Sequence, residues 1–216
     1  MEKRYGVVYA LRNLTLGIAA GECVAIAGRN GSGKTTLLRV AAQLVRPARG
    51  TVVFSGAPGG YRPKIGFVGH AAMVYDELTA EENLLFFARL LGVKNPGQHV
   101  AELLREVALE DRKDSLLRTF SRGMRQRVAI ARALLASPSL LLFDEPATGL
   151  DRESSAWLTE RLRKLRDSGC TSLMSLHGES ETAQLATRAI RLDTGSVVAD
   201  TRCGALFQSI FAAPGC

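Results

Sequence analysis

The 216-residue sequence lacks an apolar run long enough to cross a membrane as a helix. No uninterrupted apolar stretch approaches the roughly 18 residues that such a helix requires. The opening residues, MEKR, are not followed by the apolar region of a secretory signal peptide. With 46% hydrophobic and 23% charged residues, the composition is that of a folded domain and excludes a disordered chain. We therefore expect one cytoplasmic domain of ordinary size.

The sequence also lacks a cysteine framework. None of the four cysteines belongs to a C-x-x-C pair, and none stands at a metal-ligand spacing from the three histidines. We expect reduced thiols that mostly fill the core, at Cys23, Cys170, Cys203 and Cys216.

The formal charge of +7 leaves several classes of partner open. A basic balance is typical of proteins that bind nucleic acid, anionic lipid headgroups or phosphate ligands. Arginines are prominent at residues 122–132 and 161–166, within helical patterns, where a solvated helix face is the simpler explanation. Charge alone does not choose between these alternatives.

The most specific motif is G-x-x-x-x-G-K-[ST], spelled GRNGSGKT at residues 28–35. An apolar run precedes it and a helix-like segment follows it, which is the context that a phosphate-binding loop requires and that argues against a chance match. Glycines allow a tight turn whose N–H groups converge on an anion, and the helix adds the positive end of its dipole. The predicted nucleotide-binding residues are Asn30, Gly31, Ser32, Gly33, Lys34 on the β- and γ-phosphates, Thr35 on Mg2+, and Thr36.

Apolar periodicity predicts an α/β chain with a helical insertion. Leucine-rich helical patterns occupy residues 80–91, 98–108 and 122–135. A further helix is predicted at residues 152–168, with Asp151 placed to cap its start. Strands are predicted at residues 7–9, 14–18, 23–27, 51–54, 64–68, 140–143, 171–176, 189–192 and 196–199. We predict a single domain over residues 1–216, with a helical subdomain inserted at about residues 75–137.

Two carboxylates follow the apolar strand at residues 140–143. The carboxyl ends of strands are where α/β sheets present ligand-binding groups, so Asp144 and Glu145 are expected to face the phosphate loop. We predict that Asp144 holds Mg2+ and that Glu145 orients or deprotonates the attacking water. The alternative is that these acids only cap a helix.

The order of motifs resembles that of the ATP-binding subunits of ATP-binding cassette (ABC) transporters. After GRNGSGKT come FSRGMRQR at residues 120–127, LLLFDEP at residues 140–146, TGLD at residues 148–151, and a strand ending in His177. Together these motifs cover nearly the whole chain. The resemblance implies a P-loop NTPase core with a mixed sheet, an N-terminal antiparallel β subdomain and an inserted helical subdomain.

The resemblance also implies that one chain holds only half of each site. Ser121 and Gly123 of the signature would contact the γ-phosphate held by a second ATP-binding subunit, packed head to tail. Asp151 would lie along that seam, His177 would hold the water with Glu145, and Tyr5 would stack on adenine. A separate integral membrane subunit is the other expected partner, which would place the chain peripherally at the cytoplasmic face of the inner membrane. No direct nucleic-acid contact is expected.

Two positions depart from the family pattern. Glutamine usually follows the strand at residues 64–68, but this chain has Gly69-His70 there, so His70 is assigned to the metal-linked position. The second glycine of the signature is Arg122 here. A bulky cation at this position would either clash with the facing phosphate or add positive charge to it.

The segments GFVGH, DELTAEENL and TFSRGMRQR are similar to those of heme-exporter ATP-binding subunits of cytochrome c maturation. Export of a drug, lipid or polysaccharide is the alternative cargo class. A soluble ABC ATPase that acts on nucleic acid or ribosomes is a further alternative, suggested by the charge of +7. A switch that binds ATP but hardly hydrolyses it is the last, although the presence of both Glu145 and His177 argues against it.

Overall fold

The computed structural model describes residues 1–54, 63–176 and 181–202. Eight strands are assigned in these ranges: β1 (Lys3–Tyr5), β2 (Val8–Leu11), β3 (Cys23–Ala27), β4 (Ile65–Val68), β5 (Leu140–Asp144), β6 (Thr171–Ser175), β7 (Arg188–Asp193) and β8 (Ser196–Arg202). The α-helices there are α1 (Lys34–Ala41), α2 (Ala80–Leu90), α3 (Pro96–Glu106), α4 (Arg122–Leu134) and α5 (Arg152–Asp167). Single 3-10 turns occur at Glu110–Arg112, Leu117–Thr119 and Glu181–Leu185.

The main sheet has six strands in the order β4-β5-β6-β3-β7-β8. All neighbouring pairs are parallel except β7 with β8, which is antiparallel, so the sheet is mixed. Strands β1 and β2 form a separate antiparallel pair. Because β3, β5 and β6 are parallel neighbours, their carboxyl ends meet at one edge, where the phosphate loop begins.

Both faces of the main sheet are covered. Along β3, every residue is buried, and alternate side chains enter two different apolar clusters because the side-chain period of a strand is two. Val24 and Ile26 join the cluster under α1, whereas Cys23 and Ala25 join the larger cluster that includes the apolar faces of α2, α3 and α4. That larger cluster is continuous, so the inserted helices share one core with the sheet.

Local signals determine where the helices begin. Thr79 caps α2 and accepts a hydrogen bond from the Glu82 N–H, while the Glu82 carboxylate accepts from the Thr79 N–H, which completes a capping box. Pro96 starts α3, at the position where proline costs no hydrogen bond. Asp151 caps α5 as the sequence predicted, accepting a hydrogen bond of 2.8 Å from the Ser154 N–H.

Two predicted strands are wrong. Residues 14–18 and 51–54 are irregular, and the antiparallel pair at the N-terminus is instead Lys3–Tyr5 with Val8–Leu11. Burial does alternate in both segments, because Leu14, Leu16, Ile18 and Val52 pack against the cluster under α1. These segments therefore alternate in burial without pairing as strands. An apolar residue at every second position predicts alternate burial but does not by itself predict strand pairing.

Candidate active site

The phosphate loop, residues 28–33, connects the carboxyl end of β3 to the start of α1. Gly33 is the N-cap of α1, with φ of 107°, and no side chain caps the first N–H groups of the helix. A Cβ atom at Gly33 would lie 2.4 Å from the Ala10 carbonyl oxygen, so the backbone of β2 approaches too closely for any other residue. Uncapped N–H groups and the positive end of the helix dipole favour an anion at this point.

Lys34 and Ser32 line this loop from within. Lys34 is only 5% exposed, and its Nζ donates to the carbonyl oxygens of Gly28 at 2.8 Å and Arg29 at 3.3 Å. The hydroxyl oxygen of Ser32 is buried and has no hydrogen-bond partner among the residues that the structure describes. Buried polar atoms are nearly always paired, so an orphan hydroxyl beside a buried ammonium fits a loop that receives phosphate oxygens. Asn30 and Gly31 are exposed.

Thr35 joins the loop to the acidic end of β5. Its hydroxyl donates to Asp144 Oδ1 at 3.1 Å, across 109 residues of sequence. Asp144 is 3% exposed. A hydroxyl and a carboxylate are hard oxygen donors of the kind that Mg2+ prefers, so these residues fit that ion. Thr36 is partly buried in the first turn of α1.

Glu145 adopts a left-handed backbone conformation, with φ of 54°. Such a conformation costs a residue other than glycine on the order of 1–2 kcal/mol. The strand therefore ends abruptly here, and the Glu145 side chain is partly buried at the same edge as the loop. Thr148 Oγ1 lies 3.5 Å from Glu145 Oε2.

Ser175 was not predicted as a site residue, yet it contacts both acids. This fully buried last residue of β6 donates its hydroxyl to Asp144 Oδ1 at 2.8 Å. The Glu145 N–H donates to Ser175 Oγ at 2.9 Å. One signal in the sequence was available: a polar residue ends an apolar strand at the sheet edge that presents ligand groups.

The signature residues lie at the start of α4. Ser121 is the exposed N-cap and accepts from the Met124 N–H at 3.2 Å, while Gly123 is buried against α5. A Cβ atom at Gly123 would lie 2.4 Å from Ser154 Oγ. Within the described part of the chain, no hydrogen bond or ion pair joins Ser121 to the phosphate loop.

Arg122 folds back onto its own chain. A Cβ atom at Gly149, in the TGLD turn, would lie 2.8 Å from Arg122 Cζ, so the guanidinium rests on that glycine. Gly149 also has φ of 72°, which favours glycine. The next acid, Asp151, has a pKa below its ordinary value because the Ser154 N–H and hydroxyl bond to its carboxylate. Arg122 thus links the signature to the TGLD turn.

The remaining predicted residues are less connected. Tyr5 is half exposed in β1, with Lys3 Nζ 5.1 Å from its ring centroid. His70 is exposed in the segment after β4. His177 lies outside the described residues. No group of three or more His, Cys, Asp or Glu side chains in the described ranges is placed to hold a metal ion.

Comparison with known families agrees with this arrangement. The ABC transporter family model matches residues 11–148. The chain is 37% identical to the ABC transporter ATP-binding protein NatA of Bacillus subtilis, over 94% of this chain and 86% of NatA. It is 35% identical to the Nod factor export ATP-binding protein I of Cupriavidus metallidurans, over 97% of this chain and 71% of that protein. It is 38% identical to the daunorubicin/doxorubicin resistance ATP-binding protein DrrA of Streptomyces peucetius, over 96% of this chain and 65% of DrrA.

Solved structures show the same fold. The ATP-binding cassette MJ0796, in a dimeric post-hydrolysis state bound to ADP and Pi, superimposes with a TM-score of 0.83 at 30% identity. The match covers 93% of this chain and 94% of that one. This chain belongs to the ABC transporter family. It is an ATP-binding subunit and an ATPase, which confirms the predicted fold class and enzyme class. No helix within the described ranges is long and apolar enough to span a membrane.

Proposed function

We propose that this chain hydrolyses MgATP at a site shared by two ATP-binding subunits and thereby drives export through a separate membrane subunit. One observation carries the proposal: the Thr35–Asp144 hydrogen bond joins the phosphate loop to the acidic end of β5. The two hard oxygen donors therefore meet beside the start of α1, and Glu145 follows Asp144 at the same edge of the sheet.

Each group has a distinct part in the proposal. Residues 30–36 bind the phosphates through their N–H groups, the Lys34 ammonium and the Ser32 hydroxyl. Thr35 and Asp144 would hold Mg2+, which would neutralise charge on the phosphates when bound. His70 keeps its assignment to the metal-linked position. Glu145 acts as general base on the attacking water, with His177 beside it. Tyr5 stacks on the adenine ring.

The second subunit is required because one chain does not complete the site. Ser121 is exposed at a helix N-terminus and has no bond to the phosphate loop among the described residues. A helix N-terminus attracts anions, so a facing copy would supply Ser121 and Gly123 to the γ-phosphate. The dimeric MJ0796 cassette, at 30% identity, supports this arrangement.

A membrane subunit would dock on apolar side chains beside α2. Tyr75, Phe86 and Leu90 are 51%, 42% and 72% exposed, which is unusual for large apolar residues so close together. The rings of Tyr75 and Phe86 meet edge to face with centroids 5.4 Å apart. A short amphipathic helix of the membrane subunit would cover this patch, which would place the chain at the cytoplasmic face of the cell membrane.

The last part of the proposal is the class of compound that is exported. Nod factor export and daunorubicin/doxorubicin resistance, in the names of two relatives, favour export of a drug or a Nod factor type of cargo. Heme export, predicted from the GFVGH and DELTAEENL segments, has no support from those names and is the second candidate. Transport of each compound by vesicles that contain the chain and its membrane subunit distinguishes them.

The hydrolytic site is tested by Glu145→Gln, which keeps the shape of the side chain and removes the base. We expect turnover to fall about 10²- to 10⁴-fold, because that is the usual contribution of a positioned general base. MgATP affinity should be retained, and a dimer should accumulate with MgATP on size-exclusion chromatography. Glu153→Gln is the matched control, since Glu153 is exposed in the first turn of α5 and should keep the parent rate.

Lys34→Ala tests the phosphate loop separately. Because the buried ammonium is the main positive charge of the loop, its removal should abolish nucleotide binding in calorimetry. Turnover by Glu145→Gln at the parent rate would exclude Glu145 as the base. Undiminished MgATP affinity in Lys34→Ala would exclude the proposed loop.

A further inference from the structure

We infer that Ser175 is a positioning residue for ATP hydrolysis, which fixes the orientation of Asp144 and the backbone of Glu145 at once. This inference rests on the proposed function, because it assigns to Ser175 the alignment of the two acids that the proposal uses. Ser175 is the last residue of β6 and pairs in register with Asp144 of the neighbouring strand β5.

The first contact fixes the rotamer of Asp144. Ser175 Oγ donates to Asp144 Oδ1 at 2.8 Å, and Thr35 Oγ1 donates to the same oxygen at 3.1 Å. Two donors on one oxygen hold the carboxylate plane from the β6 side and from the α1 side. The other oxygen, Oδ2, accepts no hydrogen bond from the described residues and is left available for a ligand. Hydrogen bonds to a charged acceptor are the stronger class.

The second contact fixes the turn at Glu145. The Glu145 N–H donates to Ser175 Oγ at 2.9 Å and to the Ser175 carbonyl oxygen at 3.2 Å. The φ of 54° at Glu145 is unfavourable for a residue with a side chain, and such strain persists only where neighbouring groups over-determine it. The Ser175 hydroxyl thus accepts from the backbone that aims Glu145 and donates to the carboxylate of Asp144.

The surroundings of Ser175 exclude a solvent-exposed role. The side chain is 0% exposed, so the hydroxyl cannot exchange these partners for water. A buried hydroxyl without partners would be unfavourable, and these two hydrogen bonds satisfy it. Among the described residues of β6, Ser175 is the one whose hydroxyl bonds both to Asp144 and to the Glu145 N–H.

The test compares Ser175→Ala with Ser172→Ala. Ser172 is a matched control, because it is a buried serine of the same strand, 6% exposed, whose side chain bonds to Cys23 and not to the acids. Ser175→Ala should fold, since the Glu145 N–H keeps the Ser175 carbonyl oxygen and Asp144 keeps Thr35. Urea unfolding of both variants checks this expectation.

Two measurements then separate positioning from stability. First, kcat of Ser175→Ala should fall roughly 10- to 100-fold, the size of one lost hydrogen bond to a charged group. Second, the dissociation constant of ATP is measured in EDTA and in excess Mg2+. The value in EDTA should match the parent, whereas the gain in affinity from Mg2+ should fall at least about fivefold. Ser172→Ala should match the parent in both measurements.

Two more variants test whether the Ser175 hydroxyl itself is required. Ser175→Thr retains the hydroxyl and should recover most of kcat, whereas Ser175→Cys, a near-isosteric weak donor, should not. The inference is wrong if Ser175→Ala and Ser172→Ala show the same kcat and the same gain from Mg2+. It is also wrong if Ser175→Cys behaves as the parent. In either case, the proposed ATPase site is tested separately, by Glu145→Gln and Lys34→Ala.

Discussion

Replacing Gly123 by alanine probes the contact that positions the signature helix. An added Cβ atom would lie 2.4 Å from Ser154 Oγ and 3.1 Å from Ser154 Cβ. Ordinary van der Waals contact begins near 3.4 Å, so the start of α4 must retreat about 1 Å from α5. Rotation of the Ser154 hydroxyl would avoid most of this retreat only by breaking the hydrogen bond of that hydroxyl to Asp151, and the Ser154 Cβ atom would still be too close.

The expected effect on stability is small and the effect on turnover is large. Overpacking costs about 1–3 kcal/mol, while the exchange of glycine for alanine in a helix returns about 1 kcal/mol, so a net loss of about 0–2 kcal/mol is expected. A 1 Å misplacement of a positioning group typically costs about 10²-fold in rate. Under the proposed function, kcat of Gly123→Ala should therefore fall about 10²-fold, with ATP binding retained.

Gly97→Ala is the matched control. Gly97 is the second residue of α3, as Gly123 is of α4, but a Cβ atom at Gly97 meets nothing within 4 Å. Gly97→Ala should be more stable than the parent by up to about 1 kcal/mol in urea unfolding, with an unchanged ATPase rate. Ser154→Gly in the Gly123→Ala background removes both close atoms and should recover the rate. The reasoning is refuted if Gly123→Ala shows the parent rate and the same stability gain as Gly97→Ala.

Two predictions concern other groups. Burial raises the pKa of the Cys23 thiol. Alkylation mapped by mass spectrometry should therefore spare Cys23 in the native protein at pH 8 and label it after unfolding in guanidinium chloride. Labelling of Cys23 in the native protein would contradict its buried position. The hydrogen bond from Arg188 lowers the pKa of Asp200. The ionised carboxylate therefore stabilises the fold at pH values above the ordinary pKa of an aspartate, about 3.9. This stabilisation is lost as the pH falls through the lowered pKa. Asp200→Asn should therefore be less stable than the parent at pH 7, with a difference that shrinks below about pH 4; a difference independent of pH would refute this.

The parts of the fold that local patterns specify were predictable. Helices α2, α4 and α5 lie within one residue of their predicted bounds, because apolar periodicity and side-chain caps act over one or two turns. The phosphate loop was also predictable, since its glycines and Lys34 satisfy a backbone requirement that is written in eight consecutive residues.

The strands near the N-terminus show where local patterns fail. Residues 14–18 alternate in burial but pair with no strand, because their backbone groups bond elsewhere; the Leu14 N–H, for example, donates to the Met1 carbonyl oxygen. Pairing is decided by which backbone lies alongside, and that depends on contacts with distant segments.

The sequence by itself determined the loop, the acid pair Asp144 and Glu145, and the family. Each of these is a contiguous motif whose chemistry depends on residue types at fixed spacing. Only the tertiary structure decided that Thr35 and Ser175 meet on Asp144 Oδ1, and that Arg122 rests on Gly149. Those contacts join residues 27 to 109 positions apart, and they arise because parallel strands and packed helices bring separate segments to one edge of the sheet.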